Sequence, residues 1–248
     1  LIKHSLDYII QDKLKEDDKE APLLSITVCD VACGSGHILL NAARRIATEL
    51  AVVRTGEDQP SPSAFRAAIR DVIRHCIYGV DLNPLAVELC KVALWLEAHN
   101  PNEPLNFLDH HIKCGNAIVG LAHFKELQNG IADEAFKTLP NDDKEIATTF
   151  TNKNKAERKT KGQLGIYDLT SAEDNLSEIT EWFSRFDEMP EDTPEEISTK
   201  AEAYNKLTTG KGWYRLKQLA DLQVAQFFIS KIEDNKDKIT TDAKYRTY

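Results

Sequence analysis

Glycines and an acidic residue that could bind a small molecule come together near the start of the chain. Asp30 follows a β-branched run that starts at Ile26, and Gly34 and Gly36 precede an amphipathic helix that starts at His37. Glycine lets the main chain approach a ligand closely, and the N–H groups at a helix start carry partial positive charge. The stretch therefore predicts a ligand-binding loop between a strand and a helix.

The acidic residue indicates which ligands this loop accepts. A dinucleotide site carries Gly-x-Gly-x-x-Gly, but Leu39 stands where the third glycine belongs, and the Asp30 carboxylate would repel a pyrophosphate. A cationic ligand without phosphate fits better. S-adenosylmethionine has both an ammonium and a sulfonium group, so it is the predicted cofactor, and a nicotinamide-dependent oxidoreductase is disfavoured.

A second acidic residue stands at the end of the next predicted strand. Residues 77–80 lead to Asp81, and Asn83 and Pro84 then form the N-cap and the first position of a helix that extends to about His99. Ligands of open parallel sheets bind beyond the carboxyl ends of the strands. Asp81 is therefore placed to accept hydrogen bonds from both hydroxyls of a ribose. The alternative is that Asp81 only stabilises the dipole of the helix.

Together these motifs resemble the S-adenosylmethionine-dependent amino-methyltransferases, and above all the adenine-N6 DNA methyltransferases of restriction-modification systems. Residues 30–37, Asp-Val-Ala-Cys-Gly-Ser-Gly-His, are similar to motif I, with Val31 in place of the usual proline. Residues 79–84, Gly-Val-Asp-Leu-Asn-Pro, are similar to motif II, and Gly115-Asn116 stands where motif III is expected. The resemblance covers about the first half of the chain.

The resemblance implies an S-adenosylmethionine site and roles for its residues. Asp81 would bind the ribose, Leu82 would lie against the adenine ring, and Asn116 would contact the adenine nitrogens. Asp109 is the rival of Asn116, but its place before the strand favours a capping role. The cofactor-binding residues predicted in this way are Asp30, Ala32, Cys33, Gly34, Gly36, His37, Asp81, Leu82 and Asn116.

The motif that holds the target adenine in this family, Asn-Pro-Pro-aromatic, does not occur in the chain. Asn83-Pro84 and Asn100-Pro101 are followed by Leu and Asn. We therefore predict no catalytic residue, and we expect a cofactor-binding fragment of a long restriction-modification enzyme, inactive by itself, whose parent methylates adenine in double-stranded DNA. The alternative is a complete, non-catalytic S-adenosylmethionine-binding or scaffold protein that acts through its helical half.

The predicted fold class is α/β. A partial Rossmann-like methyltransferase sheet is expected in residues 1–120, where the resemblance implies that the helix at residues 1–14 closes one side of the cofactor pocket. A mainly helical insertion is expected in residues 121–248, with helices at 121–129, 132–139, 175–189, from 194, and at 213–232. The basic run 152–163 is interpreted as a solvated loop.

Charge and cysteine content restrict the partners and the compartment. The net charge of −9 predicts weak or no DNA binding by this chain alone, so that duplex DNA would be bound through the parent protein. The five cysteines form no Cys-x-x-Cys pair, and no apolar run is long enough to cross a membrane, which favours a reducing cytoplasm.

Two further features are given structural interpretations. Cys33 is expected to pack under the glycine loop and not to act as a nucleophile, because no histidine and acid are spaced to activate it. His110 and His111 are expected to point to opposite faces of a strand, so no metal site is predicted.

Overall fold

A computed structural model describes residues 2–101, 103–159 and 169–248. The chain divides into two compact units, the first made of residues 1–118 and 189–204 and the second of residues 119–188 and 205–248. The described residues form a mixed structure with 60% helix and a small parallel sheet of three strands, which is compatible with an α/β fold. The proposed division into a cofactor-binding part, 1–120, and an insertion, 121–248, concerns function and stays a prediction.

The first unit alternates helices with short strands. Its elements, in chain order, are α1 (Ile2–Lys13), α2 (Glu20–Leu24), β1 (Val28–Asp30), α3 (His37–Thr55), α4 (Pro62–Cys76), β2 (Ile77–Asp81), α5 (Pro84–Glu97) and β3 (Ile112–Cys114). Helices α4 and α5 both begin with proline after a capping side chain. Ser61 accepts a hydrogen bond from the Ala64 N–H, and Asn83 accepts one from the Leu85 N–H, so the predicted cap at Asn83 is confirmed.

The three strands are parallel and lie in the order β1-β2-β3. Cys29 is paired with Tyr78, and Asp81 with Cys114, so the carboxyl ends of all three strands meet at one edge of the sheet. Buried aliphatic residues of α3 and α4 form much of the core of this unit. The sheet therefore brings together the loops that follow the three strands.

Strand β1 starts two residues later than its sequence suggests. The β-branched run begins at Ile26, but the Ile26 N–H donates to the Leu23 carbonyl at the end of α2. Ile26 is thus still part of the turn that follows this short helix, and the strand covers Val28–Asp30.

Residues 189–204 contribute a buried ion pair to the first unit. The Glu191 carboxylate lies 2.8 Å from the Lys200 ammonium and accepts a hydrogen bond from the Phe107 N–H at 3.0 Å. Arg70 donates to the Glu191 carbonyl at 3.0 Å. Glu191 and Lys200 are both almost completely buried. The sequence pattern alone does not predict that residues 189–204 belong to the first unit.

The described part of the second unit is helical and contains no strand. Its elements are three short 3-10 helices (Phe124–Asn129, Asp133–Phe136 and Glu233–Asn235) and the helices α6 (Lys144–Lys159), α7 (Leu169–Asp187), α8 (Pro194–Thr208, which begins in the first unit), α9 (Lys211–Ala225) and α10 (Asp242–Tyr245). The core includes Phe136, Leu216, Leu219 and Tyr245. Trp213 packs at its edge, with its ring 6.2 Å from that of Phe183.

The prediction of a loop at residues 152–163 is wrong for the part that the structure describes. Helix α6 extends to Lys159, and Asn154 on its inner face is buried. The Asn154 amide donates to the Ile131 carbonyl and to the Asp133 carboxylate, and its oxygen accepts from the Asp242 N–H. These bonds hold the segment as a packed helix, and its lysines lie on the exposed face. Residues 160–163 lie outside the described residues.

His110 and His111 lie in the turn before β3 and not on the strand, so the expectation that they point to opposite faces is wrong. Their rings meet edge to face at 4.1 Å. His111 stacks on Tyr78 and has its Nδ1 2.8 Å from the Ile77 carbonyl. Burial lowers the pKa of His110 to about 2 and that of His111 to about 4.

Buried His111 should make the protein sensitive to acid. In the unfolded chain the imidazole binds a proton near its ordinary pKa of 6.5, whereas in the folded protein it stays neutral down to about pH 4. Stability from this residue is therefore fully present above pH 6.5 and is lost as the pH falls towards 4, by up to about 3 kcal/mol. Urea unfolding at a series of pH values measures this slope.

The matched variants are His111→Gln and His99→Gln, because His99 is an exposed histidine. The slope should become smaller in His111→Gln without vanishing, since His110 is buried too, and it should be unchanged in His99→Gln. Equal slopes in the wild type and both variants would contradict the assignment.

Candidate cofactor site

The loop between β1 and α3 is shaped by two glycines with left-handed backbone angles. Gly34 has φ +52° and Gly36 has φ +82°, values that residues with a Cβ rarely adopt. The Cys33 N–H donates to the Val80 carbonyl at 3.0 Å, and the Gly36 N–H donates to the Cys33 carbonyl at 2.8 Å. The loop is thereby held against the neighbouring strand β2.

Two close approaches lie under this loop. A Cβ added to Gly36 would lie 2.7 Å from the Cys90 sulfur of α5, and one added to Gly79 of β2 would lie 2.9 Å from a Leu39 methyl group. Sequence reasoning did not assign a role to Gly79 or Cys90. The available signal was a glycine inside a strand, which often marks a close approach of another segment.

Both strand-end carboxylates lie at this loop. Asp30 is paired in register with Gly79, so Asp81, two residues further along β2, lies on the same face of the sheet. The Asp30 carboxylate accepts from the Ala32 N–H at 3.0 Å.

The Asp81 carboxylate connects the second strand to the glycine loop. One oxygen accepts from the Asn83 N–H at 2.8 Å, and the other accepts from the Gly34 N–H at 2.9 Å. These two hydrogen bonds lower the pKa of Asp81, so the group is held as a carboxylate. The position of the loop therefore depends on a charge at the end of β2.

Cys33 is buried inside this arrangement. Burial raises the pKa of its thiol, and the charges of Asp81 and Asp30 raise it further. A hydrogen bond with Cys90 lowers this pKa, but the effect of burial is larger. A thiol in such surroundings stays protonated and is a poor nucleophile. The side chain lies so near Gly79 that a Cβ added there would be 3.1 Å from it, which agrees with a packing role.

The remaining predicted cofactor residues are exposed around the loop. Ala32 lies in the loop, His37 is the first residue of α3, and Leu82, 71% exposed, follows β2. Asn116 lies beyond the carboxyl end of β3, and its side chain accepts from the Ile118 N–H. The preceding Gly115 donates its N–H to the Asp81 carbonyl at 2.9 Å, which keeps this turn beside the end of β2.

Asp109, the rival of Asn116, lies at the opposite end of β3. It precedes the strand, and its carboxylate accepts from the Lys91 ammonium at 2.6 Å. The two candidates are thus separated by the length of the strand, and Asn116 is the one on the side of the glycine loop.

A mainly apolar cavity of about 390 Å³ lies next to the open edge of β1. It is lined by Leu6 and Ile9 of α1, by the β1 residues Val28 and Asp30, and by Ile38 at the start of α3. Helix α1 therefore forms one wall of a space that extends to the Asp30 carboxylate.

Metal and membrane features are absent from the part of the chain that the structure describes. Within residues 2–101, 103–159 and 169–248, no three His, Cys, Asp or Glu side chains are close enough together to hold a metal ion. No helix in these ranges is both long and apolar enough to span a membrane.

Comparison with known proteins found a family match in the middle of the chain. Residues 75–192 match the profile of the Eco57I restriction-modification methylase. Over these residues the chain is similar to the restriction-modification methylases. The matched segment contains β2, α5 and β3 with Asp81 and Asn116, whereas the glycine loop at residues 30–37 precedes it.

A curated relative gives the same family. A Methanocaldococcus jannaschii protein, provisionally named a type II restriction enzyme and methyltransferase, is 30% identical over 125 residues. The match covers 46% of this chain but 10% of the relative, so the chain corresponds to a small part of that protein. No solved structure shows significant similarity. Both comparisons thus show that this part of the chain is similar to restriction-modification methyltransferases.

Proposed function

We propose that this chain is the S-adenosylmethionine-binding part of a DNA adenine-N6 methyltransferase from a restriction-modification system, acting in the cytoplasm. The observation that carries the proposal is the hydrogen bond from the Gly34 N–H to the Asp81 carboxylate. It joins a glycine loop to an acidic strand end, at the carboxyl edge of a parallel sheet, where α/β proteins bind nucleosides. We infer that the three strands belong to a Rossmann-like sheet.

The residues around the loop fit a cationic nucleoside. A Cβ added to Gly34 meets no atom within 4 Å, so open space lies in front of the loop. Each Asp81 oxygen accepts one main-chain N–H and has a lone pair left for a ribose hydroxyl. Asp30 supplies negative charge near the amino-acid part of the ligand. S-adenosylmethionine, when bound, supplies a methyl group on a positively charged sulfur.

We assign the adenine ring to the surface between Leu82 and Asn116. Leu82 offers an exposed apolar side chain beside Asp81, and Asn116 offers an amide that can both donate to and accept from adenine nitrogens. The rest of the ligand contacts the loop and the helix start, which comprise Ala32, Cys33, Gly36 and His37. The position of Asn116 beyond the carboxyl end of β3 favours it over Asp109 as the adenine contact.

Asp81→Ala is expected to weaken S-adenosylmethionine binding by about 1–3 kcal/mol, because two hydrogen bonds from the ribose to a carboxylate are lost. Isothermal titration calorimetry measures the loss. Unchanged affinity would mean that the ribose binds elsewhere and would refute the proposed site.

Two further variants make this test specific. Asn116→Ala should weaken binding, whereas Asp109→Asn, at the far end of β3, should not. The opposite result would move the adenine contact to Asp109. Circular dichroism of each variant checks that the fold is intact.

The chain alone should transfer no methyl group, because it lacks the Asn-Pro-Pro-aromatic motif that holds the target adenine in the resembling family. We propose that duplex DNA is bound by the parent protein, and that this acidic chain binds it weakly or not at all. A methylation assay with radiolabelled cofactor and adenine-containing duplex DNA is expected to show no incorporation above a no-protein control. Methyl transfer by the chain alone would refute the proposal that it is only the cofactor-binding part of the enzyme.

A further inference from the structure

Helix α5 carries an apolar stripe on its solvent side. The stripe consists of four exposed aliphatic residues, which are Leu85 (66% exposed), Leu89 (50%), Val92 (44%) and Leu96 (74%). The opposite face of the helix, with Val87, Cys90 and Leu94, is buried in the core of the first unit. A helix that is apolar on both faces is normally covered on both. The stripe therefore indicates a contact surface.

The spacing of the stripe indicates what covers it. The four residues follow one another at intervals of four, three and four positions, which is the seam of a heptad repeat. Such a seam packs against another helix by knobs-into-holes contacts. With a rise of 1.5 Å per residue, the seam is about 16 Å long.

We propose that the stripe of a second copy of this chain covers it, with the two α5 helices antiparallel. The intervals are the same when read in either direction, so a two-fold axis between Leu89 and Val92 makes the surface self-complementary. Leu85 then lies opposite Leu96 of the second copy, and Leu89 lies opposite Val92.

The flanks of the seam are compatible with this pairing. On one flank Ala86 and Ala93 are small and let the helix axes approach closely. On the other flank Glu88 faces Trp95 of the second copy and not its own counterpart. Glu88 is also held by Lys91 at 2.9 Å within its own chain. The antiparallel arrangement thus keeps like charges apart.

The size of the stripe predicts a reversible dimer. Its exposed apolar area is roughly 400 Å² per copy, comparable to the largest apolar patches of monomeric proteins. Two such patches with their flanks bury about 1,000 Å², which is at the lower limit of specific interfaces. Association is therefore expected to depend on protein concentration.

Sedimentation equilibrium over a range of concentrations tests the proposal. The average mass should rise from 27.9 kDa towards twice that value. Leu89→Lys should raise the dissociation constant by about tenfold or more, since it places a charge in an apolar contact. The matched control is Ile118→Lys, which changes a 90% exposed residue outside the helix and should dimerise like the wild type. Circular dichroism checks folding, and Leu96→Lys, near the helix end, replaces Leu89→Lys if the latter does not fold.

A charge pair tests the antiparallel arrangement. Leu85→Glu and Leu96→Arg should each weaken association, and the double variant should recover it, because the two new charges meet across the contact. A mass of 27.9 kDa at every concentration would overturn the proposal, as would association that Leu89→Lys leaves unchanged. The absence of recovery in the double variant would overturn the antiparallel pairing.

Discussion

Glu191→Ala is expected to lower the free energy of unfolding of the first unit by about 3–5 kcal/mol, since it removes one partner of a buried ion pair. Lys200, the partner of Glu191 at 2.8 Å, is 1% exposed and has little access to water. The hydrogen bond from the Phe107 N–H to the Glu191 carboxylate is lost as well. Urea unfolding followed by circular dichroism measures the loss.

Two further sets of variants test whether the buried ion pair causes this loss of stability. Glu202→Ala changes an exposed acid on the same helix as Lys200, and it should alter stability by less than about 0.5 kcal/mol. The double variant Glu191→Leu with Lys200→Met should be more stable than Glu191→Ala, because it removes both charges and keeps the volume filled. A loss of less than about 1 kcal/mol in Glu191→Ala would show that the pair is solvated.

Gly36→Ala is expected to destabilise the protein by about 2–5 kcal/mol, because a strained backbone and a steric clash add together. The φ angle of +82° is unfavourable for alanine. The new Cβ would also lie 2.7 Å from the Cys90 sulfur, closer than two such atoms can approach. The midpoint of urea unfolding measures the combined effect.

The structure offers a matched control for each part of this effect. Gly34 also has a left-handed φ, +52°, but a Cβ there meets no atom within 4 Å, so Gly34→Ala should lose only about 1–2 kcal/mol. Adding Cys90→Ala to Gly36→Ala should recover the steric part and leave the backbone part. Equal losses in Gly34→Ala and Gly36→Ala, with no recovery by Cys90→Ala, would contradict the described packing.

Local sequence signals predicted the elements that form the site. The helix expected to start at His37 is observed at His37–Thr55, and the strand expected to end in Asp81 is observed at Ile77–Asp81. Periodicity, prolines at helix starts and capping side chains act within a few residues, so the sequence is sufficient for them. The glycine loop was predicted for the same reason.

Contacts between distant residues explain what the sequence did not predict. Asn154 turns a lysine-rich segment into a packed helix through a hydrogen bond to the N–H of Asp242, 88 positions away. Arg70 donates to the carbonyl of Glu191, 121 positions away, in a stretch between two prolines that resembles an ordinary loop. The approach of Cys90 to Gly36 also joins separate elements. No local pattern specifies such partners.

A crystal structure with S-adenosylhomocysteine tests the central claim, that the glycine loop and the two strand-end acids form a nucleoside site. We predict that the ligand lies across residues 34–36, with its ribose hydroxyls on the Asp81 carboxylate and its adenine between Leu82 and Asn116. The claim would be contradicted if the ligand bound elsewhere or left the loop empty, or if NAD bound at the loop in preference to it.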